Sequence, residues 1–199
     1  MNDCILVGQP NVGKTLFALQ FADFLGMRAL DVTFQASDGL LGCKHYRVEQ
    51  AIRELSSMER HKTKEIQTIA LKIPTGKSIR NIQLIDSCGL SDGIHPDILI
   101  RKAMVQTLSA LRYVKMILHM LDASYYGRTK VVPDIDQQVA QYGYAKGRYA
   151  ILANKMDLPG AKEGLHIIAN AFPDQTIIPV SSLKKIGFKE VKALVCRYL

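Results

Sequence analysis

The chain has 199 residues, 48% hydrophobic and 22% charged, with a formal net charge of +8. That length suits one domain with a substantial core and is short for two. The composition excludes low-complexity and fibrous chains, and no apolar run reaches membrane-spanning length, since the longest, 116–121, is interrupted by His119.

The positive balance fits either an RNA or ribosome contact or a binder of nucleotide phosphates, and charge alone does not separate them. Cys4, Cys43, Cys88 and Cys196 are scattered, with no Cys-x-x-Cys pair. They read as free thiols in a reducing cytoplasm. Asp3 and strand residues follow the first two positions directly, so no signal-peptide pattern is present.

In chain order, the apolar run 4–7 predicts a strand and 14–25 a helix ending at Gly26. Residues 28–34 read as a short strand, and Ser37, Asp38, Gly39 and Gly42 as turn signals. Ala51, Ile52, Leu55 and Met58 carry helical spacing across 49–60. Residues 66–73 and 79–85 read as an antiparallel hairpin turning at Thr75-Gly76-Lys77. A helix starts near Pro96, with Ile98, Ile100, Met104, Leu108 and Leu111 as its apolar stripe. Residues 114–121 read as a buried parallel strand, 122–134 as a loop, and a short helix runs through Tyr142. Strand 149–153, helix 161–171, strand 176–180 and helix 187–199 follow. Alternating strands and helices argue for a largely parallel sheet covered on both faces, with ligands at the strands' carboxyl ends.

The motifs fall at those ends. Gly8-Gln9-Pro10-Asn11-Val12-Gly13-Lys14-Thr15 lies between strand and helix, the context a phosphate-binding P-loop requires. Gly8 and Gly13 let the backbone aim amide N–H groups inward, Lys14 supplies a point charge for outer phosphates, and the Thr15 hydroxyl is a Mg²⁺ ligand. Asp86-Ser87-Cys88-Gly89 ends the hairpin; its carboxylate suits a Mg²⁺-bound water and the Gly89 N–H a terminal phosphate. In Asn154-Lys155-Met156-Asp157 the Asp157 carboxylate can accept two hydrogen bonds from a guanine edge, Asn154 steadies the loop and Lys155 lies over the base. Ser181-Ser182-Leu183 offers a backbone N–H for the guanine carbonyl.

This ordered set resembles the translation-factor-related P-loop GTPases, and the P-loop looks most like the Era-like and ferrous-iron-transporter G domains. The resemblance implies a three-layer α/β G domain over 1–199, with a mostly parallel six-stranded sheet, one antiparallel strand and helices on both faces. It implies GTP or GDP with Mg²⁺, and a slow GTPase acting as a molecular switch. Val12 and Leu16 join the nucleotide-binding set with the P-loop residues above. The first-switch threonine that ligates Mg²⁺ matches Thr63, with Thr68 and Thr33 as alternatives. Residues 38–62 form an unusually long first-switch region with an extra helix, either an effector surface or an inert helix on the sheet edge.

The position after Gly89, a catalytic glutamine in other members, is Leu90, so turnover should be slow. In similar proteins the residue matching Asn11 helps hold K⁺. Lys14, Asn11, Thr63 and Gly89 form the implied catalytic set. His95 is a second-switch loop residue or a water-orienting group, and His119 a satisfied core histidine. Lys184, Lys185, Lys189, Lys192 and Arg197 either face RNA or form a solvated helix face. A protein effector on the switch loops is the implied partner. Two rival functions are a GTP-sensing module for RNA or ribosome assembly and a P-loop ATPase; Asp157 argues against the second.

Overall fold

The computed structural model describes residues 3–36, 38–56 and 65–199. Its eight-stranded sheet runs in the order β3 (Leu41–Arg47), β2 (Ala29–Gln35), β4 (Ile66–Thr75), β5 (Ser78–Asp86), β1 (Asp3–Val7), β6 (Met116–Asp122), β7 (Tyr149–Asn154), β8 (Ile177–Pro179). The parallel part comprises β1, β5, β6, β7 and β8. Their carboxyl ends share one edge of the sheet. The strand order reverses at β1, which is where open α/β sheets form a ligand crevice.

β4 pairs antiparallel with β5 through a two-residue turn, Thr75 facing Ser78. β2 and β3 then extend the sheet as a second antiparallel hairpin.

Helices cover both faces. α1 (Lys14–Phe24), α2 (Val48–Leu55) and α7 (Phe188–Tyr198) cover one. Phe17 of α1 meets Phe188 of α7 edge-on at 4.9 Å, within a core that includes Leu6, Leu118 and Leu152. α3 (Ile98–Tyr113), α4 (Ala123–Thr129), α5 (Asp134–Lys146) and α6 (Ala161–Ala171) cover the other, through Leu111, Tyr126, Val139 and Ile168 against Ile5, Ile117 and Ile151. Alternate residues of β1 and β6 thus feed opposite cores, which is why those strands read as apolar runs, that of β6 interrupted only by His119.

Three features depart from the sequence reading. The sheet has eight strands where six are expected, because the β2–β3 hairpin adds an edge. β3 escapes periodicity because only Tyr46 of its seven residues is buried. The expected loop 122–134 contains α4, a seven-residue helix capped by the Asp122 carboxylate, which accepts from the Tyr125 N–H at 3.1 Å. α2 is described from Val48 to Leu55, starting one residue before the predicted 49–60, and its buried Val48 and Ala51 belong to the core that α1 lines.

Candidate functional site

The turn from β1 into α1 is shaped by close approach. A Cβ on Gly8 (φ +144°) would sit 2.2 Å from the Met120 carbonyl oxygen. One on Gly13 (φ +101°) would sit 2.5 Å from Asn154 Nδ2. Neither position accepts a side chain without moving the loop. Lys14 folds back inside it: Nζ donates to the carbonyls of Gly8 (3.1 Å) and Gln9 (2.9 Å). Burial holds the Lys14 ammonium below its ordinary range, and the Asp86 charge works the other way.

At the end of β5, Asp86 is fully buried. Its Oδ2 accepts from Thr15 Oγ1 at 2.6 Å, while Oδ1 has no hydrogen-bond partner among the described residues. Burial pushes the Asp86 carboxyl up to about 6, against the Thr15 bond and the Lys14 charge. A buried carboxylate with an orphaned oxygen beside a hydroxyl is a hard-oxygen donor set. It fits Mg²⁺, which takes one or two protein oxygens and fills the rest with water and phosphate. Thr15 and Asp86 would hold the ion; no larger cluster of His, Cys, Asp and Glu is present among the described residues. When bound, it supplies positive charge against phosphate oxygens.

The Asp86–Gly89 segment lies directly on the P-loop. A Cβ on Gly89 would approach Pro10 atoms to within 2.6–2.7 Å. The Leu90 N–H donates to the Gly8 carbonyl at 3.1 Å. The Leu90 side chain is 1% exposed and packs with Ile5, Val7 and Ile117. It is a core residue, not one that faces the loop.

Asn154 ties three loops together. Its Nδ2 donates to the Val12 carbonyl at 2.7 Å, and its Oδ1 accepts from the Ser182 N–H (2.9 Å) and hydroxyl (3.0 Å). Lys155, in a left-handed conformation at φ 65°, pairs with Asp122 Oδ2 at 2.7 Å. The exposed Asp157 accepts from Ser181 Oγ at 2.5 Å. Leu183 is exposed in the following turn, and Leu16 is half-buried at the start of α1. A cavity of about 430 Å³ beside the P-loop is lined by Gln9, Asn11, Asp122, Arg128 and Lys155 among others.

The Thr63 position lies outside the described residues. Thr33 and Thr68 are cross-strand partners inside the β2–β4 ladder, so neither stands on a loop. His95 accepts from the Asp97 N–H at 3.1 Å, a loop contact. His119 is fully buried and bonded to Tyr149 and Asp136, as a satisfied core histidine should be. Sequence reasoning missed Asp122 and Asp136, both set beside the P-loop. Asp122 stands at the end of a parallel strand, a position that could have marked it; Asp136 carries no such sign.

Sheet order, helix layers and the loops gathered at one edge give the fold of the G domains of Era and FeoB. Among solved structures, an Aquifex aeolicus Era variant bound to GDP and aluminium fluoride matches with a TM-score of 0.68 at 20% identity, over 99% of this chain and 56% of that one. Era in complex with MgGDPNP and a 16S ribosomal RNA fragment matches with a TM-score of 0.67 at 21% identity, over 100% and 56% of the two chains. The curated GTPase Obg of Shouchella clausii is 30% identical over 118 residues, 56% of this chain and 27% of that protein. The chain thus spans about a third or less of the length of the curated relatives it matches. No family model matches the chain. Among the described residues no helix is long and apolar enough to cross a membrane.

Proposed function

We propose that the chain is a G domain that binds GTP and GDP with Mg²⁺, hydrolyses GTP slowly to GDP and phosphate, and works as a switch. The observation that carries this is the Asn154 side chain, bonded at once to the P-loop at Val12 and to Ser182. Through it the phosphate cradle, the base-reading Asp157 and the Ser181–Leu183 turn sit at one sheet edge. The curated relatives named GTPase Obg and the Era structures with guanine nucleotides support the same reading.

The residue roles proposed are those the resemblance implies. Gly8 to Thr15 cradle phosphates with backbone N–H groups and the α1 terminus. Lys14 leaves its two loop carbonyls for the outer phosphates, and Thr15 and Asp86 hold Mg²⁺. Gly89 meets the terminal phosphate, Thr63 is the candidate first-switch ligand, and Asn154 and Lys155 brace the base pocket. Leu90 offers no atom to orient water, so catalysis leans on positive charge near the leaving phosphate. Asn11, exposed at φ 62° on the loop, is the candidate holder of K⁺. Effector docking on the switch loops and RNA contact through the basic surface are further parts of the proposal, as is a cytoplasmic setting. The Era structure bound to ribosomal RNA supports the RNA contact. The buried Leu90 also favours a second reading, a GTP-sensing module with little turnover.

Phosphate release from GTP in matched NaCl and KCl buffers tests the proposal. Slow release is expected in Na⁺, rising by about tenfold or more in K⁺. Equal rates in the two salts remove K⁺. Release from ATP but not from GTP overturns the reading.

A further inference from the structure

We propose that Asp136 is a positioning residue of the phosphate loop, holding it through the Gln9 side chain from the first turn of α5. The proposal rests on the guanine-nucleotide reading only for the choice of probe. Asp136 is 2% exposed. A carboxylate so placed is costly unless donors surround it, and three do. Gln9 Nε2 donates to Oδ2 at 2.7 Å, the Tyr126 hydroxyl donates to Oδ2 at 2.8 Å, and His119 Nε2 lies 3.2 Å from Oδ1. His119 Nδ1 lies 2.8 Å from the Tyr149 hydroxyl. One tautomer satisfies every group: His119 gives its Nε2–H to Asp136 and accepts from the Tyr149 hydroxyl at Nδ1. Burial, and then the Asp136 charge, push both phenols above their ordinary range, so they remain donors.

Two of the three donors belong to the packed body of the domain, on β6 and α4. The third belongs to the loop. The Gln9 backbone carbonyl also accepts from Lys14 Nζ at 2.9 Å. The connection therefore runs from α5 to the Gln9 amide, through Gln9 to its carbonyl, and on to the phosphate-binding lysine. The neighbouring residue adds a second tie: the Ile135 N–H donates to Asp92 Oδ1 at 2.8 Å, just past Leu90. One helical turn grips both the P-loop and the segment after Gly89. A phosphate cradle works through N–H groups aimed before the ligand arrives, and ordering a loose loop on binding costs affinity.

The test is a charge swap read by fluorescent GDP binding in Mg²⁺, with thermal melting alongside. Gln9→Glu sets two carboxylates against each other, and Asp136→Asn removes one acceptor. Each is expected to weaken GDP binding by about tenfold, and the double variant to return within about threefold of the parent by restoring an amide–carboxylate pair. Tyr149→Phe removes the outermost bond of the network; it is expected to lower the melting temperature and leave GDP binding within about twofold. Single variants that bind like the parent overturn the proposal. So does a double variant no better than its weaker single, or a Tyr149→Phe variant as weak as Gln9→Glu. If Asp136→Asn does not fold, Gln9→Ala decides, with weaker binding at an unchanged melting temperature expected and parental binding contradicting. A parent that binds no GDP sinks the guanine reading instead. The tie is then read without nucleotide, from the Gln9 side-chain amide signals in ¹⁵N spectra: Tyr149→Phe leaves them in place and Asp136→Asn moves them, and signals unmoved by Asp136→Asn overturn it.

Discussion

Asp157→Asn is expected to lower GDP affinity by about two to four orders of magnitude and to create affinity for xanthosine diphosphate. Guanine presents two donors on one edge, a ring N–H and an exocyclic amine. A carboxylate accepts both, and adenine cannot supply the same pair. The Ser181 hydroxyl donates to Asp157 Oδ1 at 2.5 Å, which fixes the carboxylate's orientation. Asparagine turns one acceptor into a donor, so an amide meets an amine and both lose a partner as water is excluded. Xanthine carries a carbonyl in place of that amine and accepts from the new donor. Competition of guanosine and xanthosine diphosphates against a fluorescent nucleotide measures the exchange. Unchanged guanine affinity would mean that another residue reads the base.

Asp86→Asn is expected to separate stability from Mg²⁺ binding. Burial raises the Asp86 carboxyl from 3.8 to about 6. Between those values the folded protein keeps a proton that the unfolded chain has released. Stability therefore falls as pH rises through the window, and the full penalty stands above it. A gap of that size is worth on the order of 3 kcal/mol. The asparagine variant carries no such charge, so at pH 8 it should be more stable than the parent by about 1–3 kcal/mol, with the gain vanishing as pH falls toward 4. The same change removes one of two oxygens for the ion, and Mg²⁺-dependent triphosphate binding should weaken by about a hundredfold or more. Urea unfolding of the nucleotide-free protein across that pH range checks the first part, and a Mg²⁺ titration the second. Parallel stability profiles for parent and variant would show that Asp86 carries no buried-charge penalty.

Much of the fold could be read from the residues, for identifiable reasons. β1, β6 and β7 are buried on both faces, so each is a largely apolar run, and the helices between them keep a 3.6-residue stripe. The 66–85 hairpin showed because Gly76 and Lys77 mark its turn between apolar runs. β3 stayed hidden because its pairing with β2 is a backbone matter: an exposed edge strand buries almost no side chain, and Gly42, Lys44 and His45 carry no alternation. α4 stayed hidden because seven residues hold barely two turns of pattern. At the site, Gly8, Lys14, Thr15, Asp86 and Asn154 were legible because phosphate and metal chemistry demands those residue types at strand ends. Asp136 was not: its meaning comes from Gln9, 127 residues away, and no spacing rule links them. Leu90 was legible as the absence of a polar group, while its burial against Ile5 and Ile117 needed the folded chain.

The central claim is that the four loops make one guanine-nucleotide site. Equilibrium binding of the unmodified protein to GDP, a non-hydrolysable GTP analogue and ATP, each with Mg²⁺, tests it most directly. Both guanine nucleotides should saturate a single site, with ATP weaker by about a thousandfold. ATP binding as tightly as GDP, or no saturable binding of either guanine nucleotide, would contradict it.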